Sequence, residues 1–92
     1  MKLSKRSRME IYSDILSSLR LETSGGKKGS PTRVSQRANL PYDRFQRALD
    51  ELVELKMVCR NEGILALTEK GIECLEEFEK IDGFLRRMGF QA

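Results

Sequence analysis

Histidine and tryptophan are absent from the chain, and there are only two cysteines among 92 residues. Without His, the usual general acid–base group and the commonest metal ligand are both missing. Cys59 and Cys74 cannot close a four-cysteine zinc site within one chain. They stand fifteen residues apart rather than as a CxxC pair, which argues against thioredoxin-like redox chemistry. So few cysteines suit a reducing cytoplasm better than a disulfide-built secreted scaffold. No apolar run approaches the roughly 20 residues that span a bilayer. The opening stretch MKLSKRSRMEIYSD is basic but has no apolar h-region, so a signal peptide is not expected. These absences point to a binding module rather than an enzyme, with no cofactor, no metal and no membrane partner.

What is present fits one small domain. Apolar residues make up 39% and charged residues 34%, as in an ordinary soluble globular protein. The net charge of +3 hides an asymmetry. Residues 1–47 carry eleven basic and four acidic side chains, a balance of +7; residues 48–92 carry six against ten, a balance of −4. A basic half beside an acidic half suggests a polyanion-binding face with a separate scaffold or partner face; the bland alternative is a solvated surface with random clustering.

Residues 1–6 read as a basic arm. From Ser7 to about Thr23, Ile11, Tyr12, Ile15, Leu16 and Leu19 recur at helical spacing. The stretch SGGKKG at 24–29 is a loop, since glycine clusters end helices. It does not meet the phosphate-loop pattern and no strand precedes it, which argues against nucleotide binding. Ser30-Pro31 starts a second helix, a hydroxyl cap followed by proline at the first helical position. That helix runs to about Ala38. Asn39-Leu40-Pro41 interrupts it: Asn tolerates the left-handed conformation, and proline disfavours helical geometry at Leu40. A third helix follows from about Pro41 to Lys56. Met57–Arg60 and Ile64–Leu67 flank Asn61-Glu62-Gly63 and form a hairpin with a three-residue loop. Thr68 caps a fourth helix that extends to about Met88, with Glu69 in its first turn.

Helix, helix, turn, helix, hairpin, helix is the order of a winged helix-turn-helix domain, mainly α with a short β-hairpin, plus a C-terminal helix. The domain occupies 7–67 and the C-terminal helix 68–92. Val34, Ala38, Leu40, Phe45 and Ala48 fall where the inner faces of two crossed helices meet, with small Ser35 at the closest approach. On the third helix, Tyr42, Phe45, Leu49, Leu52 and Val53 gather on one side; Asp43, Arg44, Arg47, Asp50, Glu51 and Glu54 occupy the other, with Gln46 at the boundary. The basic groups sit at the N-terminal end, from which recognition helices contact base edges. Arg44, Gln46 and Arg47 are therefore the candidate base readers of double-stranded DNA, Arg for guanine and Gln for adenine. Candidate phosphate contacts are Lys5, Arg6 and Arg8 on the arm, Lys27 and Lys28 in the loop, Ser30, Thr32, Arg33 and Arg37 on the second helix, and Arg60 on the wing. Against these stand a disordered tail, a solvated loop and ordinary solvated charges. A protein-interaction module of a larger assembly is the alternative function. RNA binding lacks exposed stacking aromatics, because Tyr42, Phe45 and Phe78 all read as buried.

The run RANLPYDRFQRALDELVELKMVCRNEGILALTEKG, residues 37–71, resembles the small archaeal winged-helix DNA-binding proteins. The stretch Leu67-Thr68-Glu69-Lys70-Gly71 matches the family's passage from wing to last helix, and the resemblance covers residues 8 to about 85. It implies DNA binding and dimerisation through an antiparallel coiled coil of the last helix. Here that helix is shorter, and the loop SGGKKG longer, than the family pattern.

The residues of the last helix can be read on their own. Ile72 and Leu75 point to one side, towards their own domain near the hairpin. Cys74, Phe78, Ile81, Leu85 and Met88 are spaced four, three, four, three, which is a coiled-coil seam. Interior Gly83 opposes the helix by about 1 kcal/mol against Ala. Glu73, Glu76, Glu77 and Glu79 crowd its first half while Arg86 and Arg87 lie in the second. Antiparallel pairing of two copies sets acid against base, so the expected assembly is an antiparallel homodimer. The alternative is a monomer with the seam folded back on the first helix. Both cysteines read as small apolar residues rather than reactive thiols.

Overall fold

The computed structural model describes residues 6–89. Helix α1 spans Arg8–Glu22 and is followed by a single 3-10 turn at Ser24–Gly26; α2 spans Pro31–Arg37 and α3 Tyr42–Glu54. Strands β1, Val58–Asn61, and β2, Ile64–Leu67, pair antiparallel, and α4 covers Glu69–Arg87. This is the expected winged helix-turn-helix with a C-terminal helix.

Local chemistry starts each element. Ser7 caps α1 reciprocally: its hydroxyl accepts from the Glu10 amide at 3.1 Å, and the Glu10 carboxylate accepts from the Ser7 amide at 2.7 Å. The Ser7 contacts hold Glu10 below the usual carboxylate range. The apolar stripe of α1 then delivers Ile15, Leu16 and Leu19 to full burial. Val34 of α2, Ala38 and Leu40 of the turn, and Phe45, Ala48, Leu49 and Leu52 of α3 meet that stripe. Val58, Leu65 and Leu75 close the core from the hairpin and α4.

The turn between α2 and α3 follows its sequence logic. Asn39 sits in the left-handed region at φ 57°, and Leu40 N–H returns to the Ser35 carbonyl at 3.1 Å. Ser35 is buried and satisfies its hydroxyl on the Thr32 carbonyl at 2.9 Å. The Ser30 hydroxyl, expected to cap α2, makes no capping bond. Pro31, with φ already set for a helix, opens α2 without it.

The second strand is as expected, and the first stands one residue later than expected, at Val58–Asn61 rather than Met57–Arg60. Asn61 pairs with Ile64, so the loop is the two residues Glu62 and Gly63, at φ 52° and 79°. Two successive positive φ values match the right-handed twist of the strands, which is why the tight turn wins over a three-residue loop. On the far edge, the Leu65 amide donates to the Gly29 carbonyl at 2.9 Å, tying the long loop to the wing.

The stretch Leu67 to Gly71 is a fastener between α3, the wing and α4. Lys56 ends α3 at φ 65°. The Thr68 hydroxyl donates to the Lys56 carbonyl at 2.6 Å and accepts from the Gly71 amide at 3.0 Å. Lys70 Nζ donates to the Leu55 carbonyl at 2.8 Å, completing the C-terminus of α3. The Thr68 amide reaches the Met57 carbonyl at 3.1 Å. A Cβ on Gly71 would stand 2.1 Å from that same oxygen, so only glycine permits this approach.

Candidate nucleic-acid interface

Helix α3 lays a polar surface across the outside of the domain. Phe45, Leu49 and Leu52 anchor it from below. Arg44 and Arg47 stand exposed on its N-terminal half, and Gln46 is half-buried between them and the core. Among the described residues, neither Arg44 nor Arg47 enters an ion pair, whereas Arg6, Arg20, Arg33, Arg37, Arg60 and Arg86 all do. Two acids of the second half of α3 are engaged within the domain. Asp50 accepts from Arg60 at 2.9 Å, and Glu51 accepts from the Tyr12 hydroxyl at 2.5 Å. The Glu51 contact raises the Tyr12 phenol above its ordinary range.

Tyr42 corrects the sequence reading. Expected on the core side, it is 48% exposed at the first position of α3. Its ring leans on Phe45 at 5.9 Å and 39°, and its hydroxyl accepts from Gln46 Nε2 at 2.7 Å. The helix begins at the edge of the core, with Phe45 buried and Tyr42 one turn before it left in the open.

The other candidate cations divide into three groups. Arg8, Lys27 and Lys28 are exposed, and Lys5 lies outside the described residues. Arg6 is not part of a loose arm. It donates to Asp14 and to the Ala38 carbonyl at 2.7 and 2.9 Å, and to the Asn39 carbonyl at 2.7 Å, pinning α1 to the helix-turn-helix turn. Arg33 and Arg37 converge on Glu22 through their Nε atoms, at 3.1 and 2.7 Å. Their side chains remain 71% and 46% exposed while that of Glu22 is 8% exposed, so a buried carboxylate holds two outward-facing guanidiniums. Arg37 above all, then Arg33, holds the Glu22 carboxyl below its ordinary range against the opposing effect of burial. Nothing local marks this cluster, because Glu22 comes from α1 and its two partners from α2. Ser30 is half-buried and Thr32 exposed at the start of α2.

Helix α4 packs its first half on its own domain and projects its second. Leu75 is buried, and Cys74 and Phe78 pack half-buried against the core. Burial pushes the Cys74 thiol up. Arg20 of α1 pairs with Glu79 of α4. Ile81, Phe84, Leu85 and Met88 are exposed, Phe84 being an apolar residue that the heptad spacing does not include. Ile72, expected to cover its own domain, is 42% exposed; Gly71 and Leu75 are the buried residues of α4, with Cys74 and Phe78 half-buried beside them. An open groove of about 610 Å³ lies between α1 and α4, its lining mixing apolar Met9, Phe78, Ile81 and Leu85 with charged side chains. Among the described residues no group of Cys, Asp and Glu is arranged to hold a metal ion, and no helix is long and apolar enough to cross a membrane.

Crossed helices α2 and α3, the two-stranded wing and the fastened α4 define a class. The chain belongs to the winged helix-turn-helix family, whose sequence model matches residues 5–85. In structure it is similar to Sso10a-2, a DNA-binding protein from Sulfolobus solfataricus: TM-score 0.64, 31% identity, covering 91% of this chain and 90% of that one. The resemblance to small archaeal winged-helix proteins is thereby borne out. It also shares its fold with Lactococcus lactis ZitR at TM-score 0.58 and 16% identity, covering 97% of this chain and 62% of ZitR. No curated protein matches the chain in sequence.

Proposed function

We propose that this chain is a homodimeric, cytoplasmic double-stranded-DNA-binding protein, a transcriptional regulator or chromosome-associated protein, that enters the major groove with the N-terminal half of α3. The observation that carries the reading is the exposed pair Arg44 and Arg47 on that half, outside any ion pair among the described residues. Arginines without carboxylate partners on an exposed helix face retain their full set of donors for an anionic, acceptor-rich ligand. The similarity to Sso10a-2, a DNA-binding protein, supports it.

Arg44, Gln46 and Arg47 read base edges. Arg8, Lys27, Lys28, Arg33 and Arg37 neutralise phosphates, with Lys5, Ser30 and Thr32 as lesser contacts. Arg60 is half-engaged by Asp50 and gives at most a weak wing contact. Two copies pair antiparallel through Ile81, Leu85 and Met88, flanked by Cys74 and Phe78; exposed Phe84 adds to that surface. Arg86 and Arg87 of each copy then face the acidic first half of the other. The domain 7–67 reads DNA and residues 68–92 assemble it. The chain performs no catalysis and takes no cofactor.

A fluorescently labelled duplex titrated at several salt concentrations tests the proposal. Binding that weakens steeply with salt is expected. Absent binding, together with capture of a protein partner in high salt, favours the interaction-module reading instead.

A further inference from the structure

We infer that Tyr42 is a positioning residue for base readout, its hydroxyl holding the Gln46 carboxamide in the orientation that pairs with adenine in the major groove. The inference rests on the proposed DNA binding and says how one base pair is chosen.

A glutamine alone is a poor reader. Its side chain has three rotatable bonds, and a half-turn of the amide exchanges donor for acceptor. Tyr42 restricts the first freedom, and the amide stands with Nε2 on the phenolic oxygen. Tyr42 lies four residues before Gln46, which places the two side chains on one face of α3. Its ring leans on Phe45, which is fully buried, and that contact restricts where the phenolic oxygen can stand. Gln46 Nε2 donates to that oxygen at 2.7 Å. An amide nitrogen carries two hydrogens, so one N–H remains beside the carbonyl Oε1. That adjacent donor and acceptor complement the N7 acceptor and N6 donor of adenine. Guanine presents two acceptors at the same edge, N7 and O6, and sets O6 against Oε1. The pair therefore selects A·T over G·C at one position. The exposure of Tyr42 at 48% leaves this edge of α3 open to the groove.

The test starts from the duplex that the wild-type protein selects from a randomised pool. Every single base-pair substitution of that duplex is then titrated with wild type, Gln46→Ala, Tyr42→Phe and the double variant. Wild type is expected to prefer A·T to G·C at one position by roughly 5- to 150-fold. Gln46→Ala flattens that position. Tyr42→Phe keeps the ring and its contact with Phe45 but lowers the preference there by roughly 2- to 12-fold, the worth of one neutral hydrogen bond. The double variant is no flatter than Gln46→Ala. A Tyr42→Phe profile identical to wild type overturns the inference. So does an equal loss on every duplex, which marks a phosphate contact only. A wild type that binds duplexes without base preference overturns it too, while leaving DNA binding intact. A wild type that binds no duplex refutes the DNA-binding reading itself, and the inference with it.

Discussion

Replacing Gly71 and Gly83 by alanine, one at a time, sets helix propensity against close packing within a single helix. Both glycines lie in α4, and in an open helix interior either change stabilises by about 1 kcal/mol. Around Gly83 the nearest atom to a new Cβ is Arg87 Nη1 at 3.7 Å, the end of a flexible side chain. Gly83→Ala should therefore show the gain, raising the melting temperature by roughly 4–8 °C for a domain of this size. At Gly71 the new Cβ meets the Met57 carbonyl oxygen at 2.1 Å and the Met57 carbonyl carbon at 3.0 Å. Relief requires the start of α4 to move by about an ångström, since carbon and oxygen do not pack closer than ~3.3 Å. That movement pulls on the Thr68 amide bond to Met57 and on the Thr68 cap. Those contacts are worth about 1 kcal/mol each, and overpacking adds 1–3 kcal/mol. Against the propensity gain the net loss is about 2 kcal/mol or more, a fall of at least roughly 8–16 °C. Thermal melts followed by far-UV circular dichroism, at one fixed protein concentration, read both. Gly71→Ala melting at or above wild type would refute the fastener at residues 67–71, and Gly83→Ala melting below wild type would refute the open surroundings of Gly83.

Three further outcomes follow from the same contacts. Glu22 has a lowered native pKa, so its contribution to stability is present above the ordinary glutamate range and lost as pH falls through the lowered value. Glu22→Gln should melt below wild type at neutral pH and converge with it in acid; a gap that widens in acid contradicts the ion-pair account. Leu85→Glu places a charge on the exposed apolar face of α4 and should leave a folded monomer in sedimentation velocity, whereas the proposed pairing predicts a dimer for wild type. An unchanged sedimentation coefficient places the interface elsewhere. Arg44→Ala should relax base preference, whereas Lys27→Ala should weaken selected and random duplexes alike. Equal losses from Arg44→Ala on both duplexes count against base readout.

Much of the fold was legible because its signals are local. Asn39 closing α2, Pro41 preceding α3, and Thr68 starting α4 each act within a few residues. The candidate site was legible only in part. Arg44 and Arg47 are exposed, as the helical angle predicts, but angle alone cannot tell that the core stops short of Tyr42. Asn61 reads as a turn residue by type; pairing with Ile64 decides otherwise. Arg6 reads as arm because its partners, the Ala38 and Asn39 carbonyls, lie more than thirty residues away. Glu22 carries no local sign that it gathers Arg33 and Arg37. Spacing on α4 gives one seam, yet its first members, Cys74 and Phe78, are drawn into the domain's own core while Ile81, Leu85 and Met88 stand clear.

The most direct test of DNA binding is the salt dependence of duplex affinity for the wild-type protein. The logarithm of the association constant should fall linearly with the logarithm of salt concentration, with a slope of about −0.9 for each phosphate neutralised. With Arg8, Lys27, Lys28, Arg33 and Arg37 on phosphates, the slope per protomer should lie between about −3 and −5. Duplex affinity that does not change with salt, or no binding at low salt, contradicts the account.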